Sequence, residues 1–263
     1  MNVWTVANQK GGVGKTTTAI TLAGLLSEQG QRVLLIDTDP HASLTSYLNY
    51  DCDDLTVGLF DLFVAPMLDA ELVHNATIET PYTGINLLPA TMALATLDRT
   101  LGHRDGMGLI LKNIITLVSG DYDFVIIDCP PVLGVMMVNA LASSDRILVP
   151  VQTEFLALKG LDRMVKTFEI MQRSCTNKFH YTVIPTMFDR RTKASLVSLQ
   201  TLQQNYSQNV WHAVIPVDTQ FRNASLKHMP PSMYSRSSRG VAAYGALLQD
   251  LLAGIKQQDR MYG

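Results

Sequence analysis

The stretch that decides the fold is Lys10-Gly11-Gly12-Val13-Gly14-Lys15-Thr16-Thr17. A short apolar strand, Val3–Ala7, precedes it, and a helical pattern over Thr16–Gln29 follows, with Gly30 as the C-terminal stop. Strand, glycine-rich turn and helix in that order build a phosphate-binding loop. Glycines let successive backbone N–H groups turn inward around an anion, because residues with a Cβ are hindered there. The positive end of the helix dipole points at the same place. The ordinary pattern G-x-x-x-x-G-K-[ST] asks for a glycine where Gln9 stands, so it fails. The variant K-G-G-x-G-K-T-T fits throughout. Lys15 is placed to reach the β- and γ-phosphates of a nucleotide, and the Thr16 hydroxyl to ligate Mg²⁺.

Working outward, Arg32–Asp37 (RVLLID), Asp123–Asp128 (DFVIID) and Arg146–Val151 (RILVPV) have the unbroken apolar centres of strands buried on both faces. Tyr181–Thr186 and Val210–Ile215 repeat the pattern more weakly, and Leu158–Arg173, Ala194–Tyr206 and Val241–Ile255 have amphipathic helical spacing. The alternation predicts an α/β fold, a mostly parallel sheet with helices on both faces. Ligands of such sheets bind beyond the carboxyl ends of the strands. Two acidic motifs fall at those ends: Asp37-Thr38-Asp39-Pro40-His41-Ala42-Ser43, and Asp128-Cys129-Pro130-Pro131. The second is a Walker B strand, whose apolar residues are buried and whose final Asp128 can hold Mg²⁺ through water. We find no internal repeat or convincing linker, so residues 1–263 read as one domain, with Asp51–Asp54 a solvated acidic turn and Pro230–Gly240 a surface loop.

The composition is that of a globular chain: 263 residues, 47% apolar and 17% charged. A net charge of −2 excludes a whole-chain basic footprint for nucleic acid and leaves only local patches. Cys52, Cys129 and Cys175 lack metal-ligand spacing and read as reduced thiols, with Cys129 a small buried filler. The N-terminus lacks a signal-peptide pattern, and no apolar run approaches the roughly 20 residues that cross a bilayer. A soluble, cytoplasmic protein is expected.

With its extra Lys10, the loop resembles the deviant Walker A sequence of the ParA/MinD family of positioning ATPases. The resemblance implies that two subunits meet face to face over two ATP molecules, with Lys10 crossing to the phosphates held by the partner. Lys10, Lys15 and Asp39 are then the catalytic candidates. The first acidic motif is similar to the family's D-x-D-P-Q-G switch, with His41 and Ala42 replacing Gln and Gly. This places Asp37 near the metal, with Thr16 and Asp128, and Asp39 at the attacking water. Leu148-Val149-Pro150-Val151-Gln152 with Glu154, Leu158 and Gly160-Leu161 is similar to another family segment. Thr186-Met187-Phe188-Asp189 with Arg191-Thr192, and Val214-Ile215-Pro216, are similar to the segments that flank the adenine. Met187, Pro216, Val217 and Asp218 are the implied base contacts.

The resemblance also implies an ATP-dependent homodimer whose hydrolysis a partner stimulates, such as a ParB-like or polar adaptor protein. The cargo would be a chromosome or plasmid partition complex, or a polar machine such as a chemotaxis array or flagellum. The opening Val3-Trp4-Thr5-Val6-Ala7-Asn8 is similar to the chemotaxis-linked branch. Because the chain opens at its first strand, the N-terminal DNA-reading domain of many plasmid partition ATPases is not expected. Thr219–Gly240 carries Arg222, Lys227, Arg236 and Arg239 without an acidic residue, and Arg190, Arg191 and Lys193 form a second cluster. Arg191 and Arg222 fall where the family contacts DNA, so Arg191, Arg222 and Lys227 are the candidates for non-specific DNA binding, and the nucleoid or the cell pole is the expected location. The tail Leu247–Gly263, with Asp250, Lys256, Asp259 and Arg260, is charge-balanced and predicts no stable membrane anchor. A metabolic kinase would need a second substrate pocket.

Overall fold

Alternate residues of the apolar strands face opposite ways, so a strand with no polar alternation must be covered twice. The computed structural model, which describes residues 1–101, 107–172 and 179–262, meets that demand. Its seven-stranded sheet has β1 (Asn2–Val6), β2 (Val33–Asp37), β3 (Ile78–Glu79), β4 (Ile85–Leu88), β5 (Phe124–Asp128), β6 (Arg146–Gln152) and β7 (Tyr181–Thr186) in the order β3-β4-β2-β5-β1-β6-β7. Every pairing is parallel except the short β3 against β4.

The helices are α1 (Lys15–Ser27), α2 (Ser43–Tyr47), α3 (Leu59–Val64), α4 (Ala70–Ala76), α5 (Leu97–Leu101), α6 (Ile110–Leu117), α7 (Val135–Ala142), α8 (Phe155–Gln172), α9 (Lys193–Asn205), α10 (Gln220–Leu226), α11 (Pro231–Tyr234) and α12 (Arg239–Tyr262). Trp4, Val6, Leu35 and Ile126 pack with α1 and α12 on one face, through Ile20, Leu22, Tyr244 and Leu248. Val3, Leu34, Ile36 and Val125 pack on the other face with α6, α7 and α8, through Ile114, Met137 and Leu161. Among the described residues no helix is long and apolar enough to cross a membrane.

The chain leaves β1 for β2 on one side, returns through β5, and then crosses to β6 on the other side of β1. The crevice opens where this order reverses, at the carboxyl end of β1. Register does the rest: Val6 lies opposite Asp128, and Asp128 opposite Asp37. Three strand ends thus bring the loop and both acidic motifs together.

Two expectations are corrected. Val210–Ile215 is no strand: Trp211 N–H donates to the Val183 carbonyl (2.9 Å) and Ile215 N–H to that of Pro185 (2.8 Å). Four residues on the edge segment thus span two on β7, and the surplus bulges out of the ladder. Pro230–Gly240 is not all surface: Pro230, Pro231 and Ser232 are buried, and α11 lies against α1 at Gly24. Beyond β2, β3 and β4, for which the sequence reading names no element, complete the sheet. The C-terminal stop of α1 is as expected: Gly30 has φ 78°, and the Gly30→Ser27 and Gln31→Leu26 backbone bonds close a Schellman turn. Arg173, the expected end of α8, and Cys175 lie outside the described residues, as do the side chains of Lys256, Asp259 and Arg260.

A Cβ at Gly24 would sit 2.4 Å from Ser232 Oγ and 2.8 Å from Pro230 Cβ, whereas one at Gly245 meets nothing within 4 Å. Gly24→Ala is expected to lower stability by about 1–3 kcal/mol through overpacking. Gly245→Ala, inside α12, should raise it by about 0.5–1 kcal/mol. Urea midpoints of the two variants moving in opposite directions is the outcome that checks this packing.

Candidate nucleotide site

The loop after β1 is held from several sides. Asn8, wholly buried, donates from Nδ2 to the Pro150 carbonyl (2.7 Å) and accepts the Lys10 N–H at Oδ1 (3.0 Å). Thr186, at the end of β7, donates its hydroxyl to the Val13 carbonyl (2.9 Å), and Thr18 donates to that of Gly14 (2.8 Å). Gly12 and Gly14 have φ values of 73° and 93°, conformations costly for any residue with a Cβ. A Cβ on Gly11 or Gly12 would meet nothing within 4 Å, so the backbone angle at Gly12, and not crowding, calls for glycine there.

Lys15 lies over this loop at the start of α1, buried, its Nζ 3.2 Å from the Lys10 carbonyl. Burial draws its pKa down, and the Asp128 and Asp39 carboxylates oppose that. Thr16 donates its hydroxyl to Asp128 Oδ2 (2.6 Å). Asp37 and Asp128 are buried side by side, and both carboxyls are pushed above the ordinary carboxylate range, first by burial. Their hydrogen bonding differs. Asp37 accepts from Thr45 N–H (2.9 Å), Thr45 Oγ1 (2.8 Å) and Asp39 N–H (3.1 Å). Asp128 Oδ1 is buried with no partner among the described residues. An orphaned carboxylate oxygen beside a threonine hydroxyl is a hard-oxygen donor set that fits Mg²⁺. Cys129, next to it, is 1% exposed, and its thiol is pushed up by burial, as befits an inert filler.

Lys10 points elsewhere. Its ammonium pairs with Glu154 of the same chain, before α8, and Gly160 lets that helix approach, since a Cβ there would lie 3.2 Å from Lys10 Cβ. Asp39 follows β2, mostly buried, with its carboxylate turned to His41.

A cavity of about 810 Å³ continues from the loop, lined by Gly14 and Thr17 and by Met187, Pro216, Val217 and Asp218. All four expected base contacts therefore line one cavity. Met187 holds a left-handed backbone (φ 52°), and its Cε would lie 4.0 Å from a Cβ on Gly14. The Asp218 carboxylate is committed, accepting the N–H groups of Gln220 (2.9 Å) and Gly240 (2.9 Å), so that side chain ties α10 to α12. Arg222 lines the cavity, whereas Arg191 is paired with Asp189 (2.7 Å) and Lys227 is exposed at the end of α10. Tyr47, Phe221 and Tyr244 also line it and were not expected. Tyr244 bonds Thr18 (2.7 Å) from α12, more than two hundred residues away, and no local pattern marks such a contact.

A glycine cradle, a buried lysine and an unsatisfied aspartate at the switch point of a parallel sheet define a P-loop nucleotide-binding protein. Residues 1–181 match the AAA domain family. The sporulation initiation inhibitor protein Soj of Bacillus subtilis is 33% identical over 94% of this chain and 97% of its own. The chromosome partitioning protein ParA of Caulobacter vibrioides is 33% identical over 99% and 96%. A crystal structure described as cobyrinic acid a,c-diamide synthase from Mycobacterium smegmatis, with bound ATP analogue and magnesium, superposes with a TM-score of 0.83 at 34% identity over 97% of this chain and 96% of that one. The chain belongs to the ParA/Soj family of P-loop ATPases.

Gly12→Ala places a Cβ on a left-handed backbone inside the phosphate loop, where the N–H groups must keep their direction. The variant should fold with a loss of about 1–2 kcal/mol. Its nucleotide affinity should fall about tenfold or more, the worth of one charge-assisted hydrogen bond. Titration calorimetry beside a thermal melt separates the two effects.

Proposed function

We propose that this single-domain chain is a positioning ATPase that dimerises on ATP, hydrolyses it under the stimulus of a partner protein, and moves a partition complex or polar array over non-specifically bound DNA. The observation that carries this reading is the divergence of two lysines from one loop. Lys15 is buried over the cradle, and Lys10 is turned outward to a partly exposed acid. One lysine suffices for a phosphate held within the chain. The second suits an anion presented from outside, the γ-phosphate of a second copy.

In this reading Gly11, Gly12, Val13 and Gly14 offer backbone N–H groups to the phosphates, Lys15 neutralises them, and Thr17 faces the same cavity. Thr16 and Asp128 hold Mg²⁺, which supplies neutralisation of charge on the transferring group. Asp37 buttresses that pair and pins the switch. Asp39 accepts a proton-bearing contact from the attacking water, and Lys10 of the second subunit stabilises the transferring group. The adenine sits against Met187, Pro216 and Val217. The Caulobacter vibrioides relative named for chromosome partitioning supports the cargo class. Arg191, Arg222 and Lys227 supply phosphate contacts to DNA, and the protein works in the cytoplasm on the nucleoid or at a pole. Membrane cycling is the alternative, which liposome flotation with ATP would bring forward.

Lys15→Ala is expected to abolish ATP binding with the fold retained. Asp39→Ala is expected to bind ATP and remain a dimer. On immobilised DNA, Asp39→Ala should be retained with ATP and released with ADP, and retention should fall steeply with salt. Adding Lys227→Ala should lower the salt slope by about one unit, one phosphate contact. An Asp39→Ala protein that stays monomeric with ATP overturns the dimer; a dimer that ignores DNA at low salt removes the nucleoid and leaves a protein platform at the pole. Hydrolysis that requires an added small metabolite would instead favour a synthetase.

A further inference from the structure

The Asp39 carboxylate is fixed on one side only. Its Oδ1 accepts two hydrogen bonds, from the backbone N–H of His41 (3.0 Å) and from His41 Nδ1 (2.9 Å). Among the described residues Oδ2 accepts none. The Asp39 side chain is 13% exposed and that of His41 79% exposed, so the imidazole lies over the carboxylate from the solvent side. The backbone beneath is fixed as well. Asp39 N–H donates to Asp37 Oδ1 (3.1 Å), the Ala42 N–H to the Asp39 carbonyl (2.8 Å), and Ala42 adopts φ 51° as α2 begins. A carboxylate rotates freely about its last bond unless something holds one oxygen. Here His41 holds it with two donors.

We infer that His41 is a positioning residue for hydrolysis: by donating Nδ1–H to Asp39 Oδ1 it orients Oδ2 toward the position of the attacking water. An ionised carboxylate only accepts, so Nδ1 carries the proton of this bond. The imidazole acts through Asp39, its side-chain partner. The inference rests on the assignment of Asp39 to the attacking water, and it explains how a histidine serves where the family motif has glutamine.

The test is steady-state ATP turnover of the wild type, His41→Ala, His41→Asn and Asp39→Ala, each with Kd for a non-hydrolysable ATP analogue. Asparagine places its amide nitrogen where Nδ1 stands and can restore the bond. His41→Ala keeps the backbone donor, so its kcat should fall only about three- to tenfold, the worth of one hydrogen bond, with KM and Kd unchanged. His41→Asn should recover to within about twofold of the wild type, which a merely structural histidine would not require. An unchanged kcat in His41→Ala, an asparagine variant no better than alanine, or KM and kcat moving together overturns the inference. Hydrolysis surviving in Asp39→Ala sinks the underlying assignment instead. An inactive Asp39→Ala beside a fully active His41→Ala sinks only the role of His41.

Discussion

Two carboxylates buried shoulder to shoulder are the constraint on which the rest of the structure depends. Asp37 and Asp128 end adjacent parallel strands in direct register, so the sheet itself forces them together. Each is costly in a low-dielectric interior, burial pushes both carboxyls up, and the Asp37 charge raises Asp128 further. The chain resolves the conflict unequally. Asp37 is satisfied by three donors from the switch that follows it, at the cost of fixing that segment's conformation. Asp128 keeps one oxygen empty-handed, a defect a folded chain tolerates at a price of about 1–3 kcal/mol. A divalent cation would turn that defect into a binding site. The function thus occupies the place where packing is left incomplete.

The same constraint explains why the switch is attached as it is. Thr45 of α2 reaches Asp37 with both backbone and hydroxyl, and the hydroxyl in turn accepts from Ala90 N–H beyond β4 (3.1 Å). At the far end of α2, the Tyr47 hydroxyl donates to the Met229 carbonyl (2.9 Å) and its own carbonyl meets His228 Nδ1 (3.1 Å). A five-residue helix has too few backbone bonds to stand alone. It is a strut between the acid pair and the segment after α10.

How much of this could be read from the sequence follows from the length of each signal. The loop, the strands ending in Asp37 and Asp128, and the long helices α1, α8, α9 and α12 were legible, because glycine chemistry and apolar runs are local. Residues 43–118 were not, since α2 to α6 run from five to eight residues, at most about two turns. β4 offers only four residues, and its alternation is lost in the neighbouring apolar text. Val210–Ile215 misled for the opposite reason, having strand composition but too many residues for its ladder. Asp218 kept its place on the cavity wall, yet its carboxylate proved to be a cap, a distinction that needs the third dimension. Asn8 is the clearest omission: a wholly buried amide after β1 whose only signal was a polar residue where the apolar run stops.

Magnitudes decide which of these contacts sets the shape of the loop. The Lys10–Glu154 pair is the most conspicuous, but its side chains are 26% and 40% exposed, and a pair so wetted contributes about 0–1 kcal/mol. The Asn8 and Thr186 bonds are buried, and breaking either leaves an unpaired polar group inside the protein, about 1–3 kcal/mol each. The cradle is therefore held open by Asn8 and Thr186, and it persists whether or not Lys10 remains on Glu154. A weak tether on a rigid loop is what a lysine needs if it is to change partners: the side chain can leave while the phosphate site behind it stays formed.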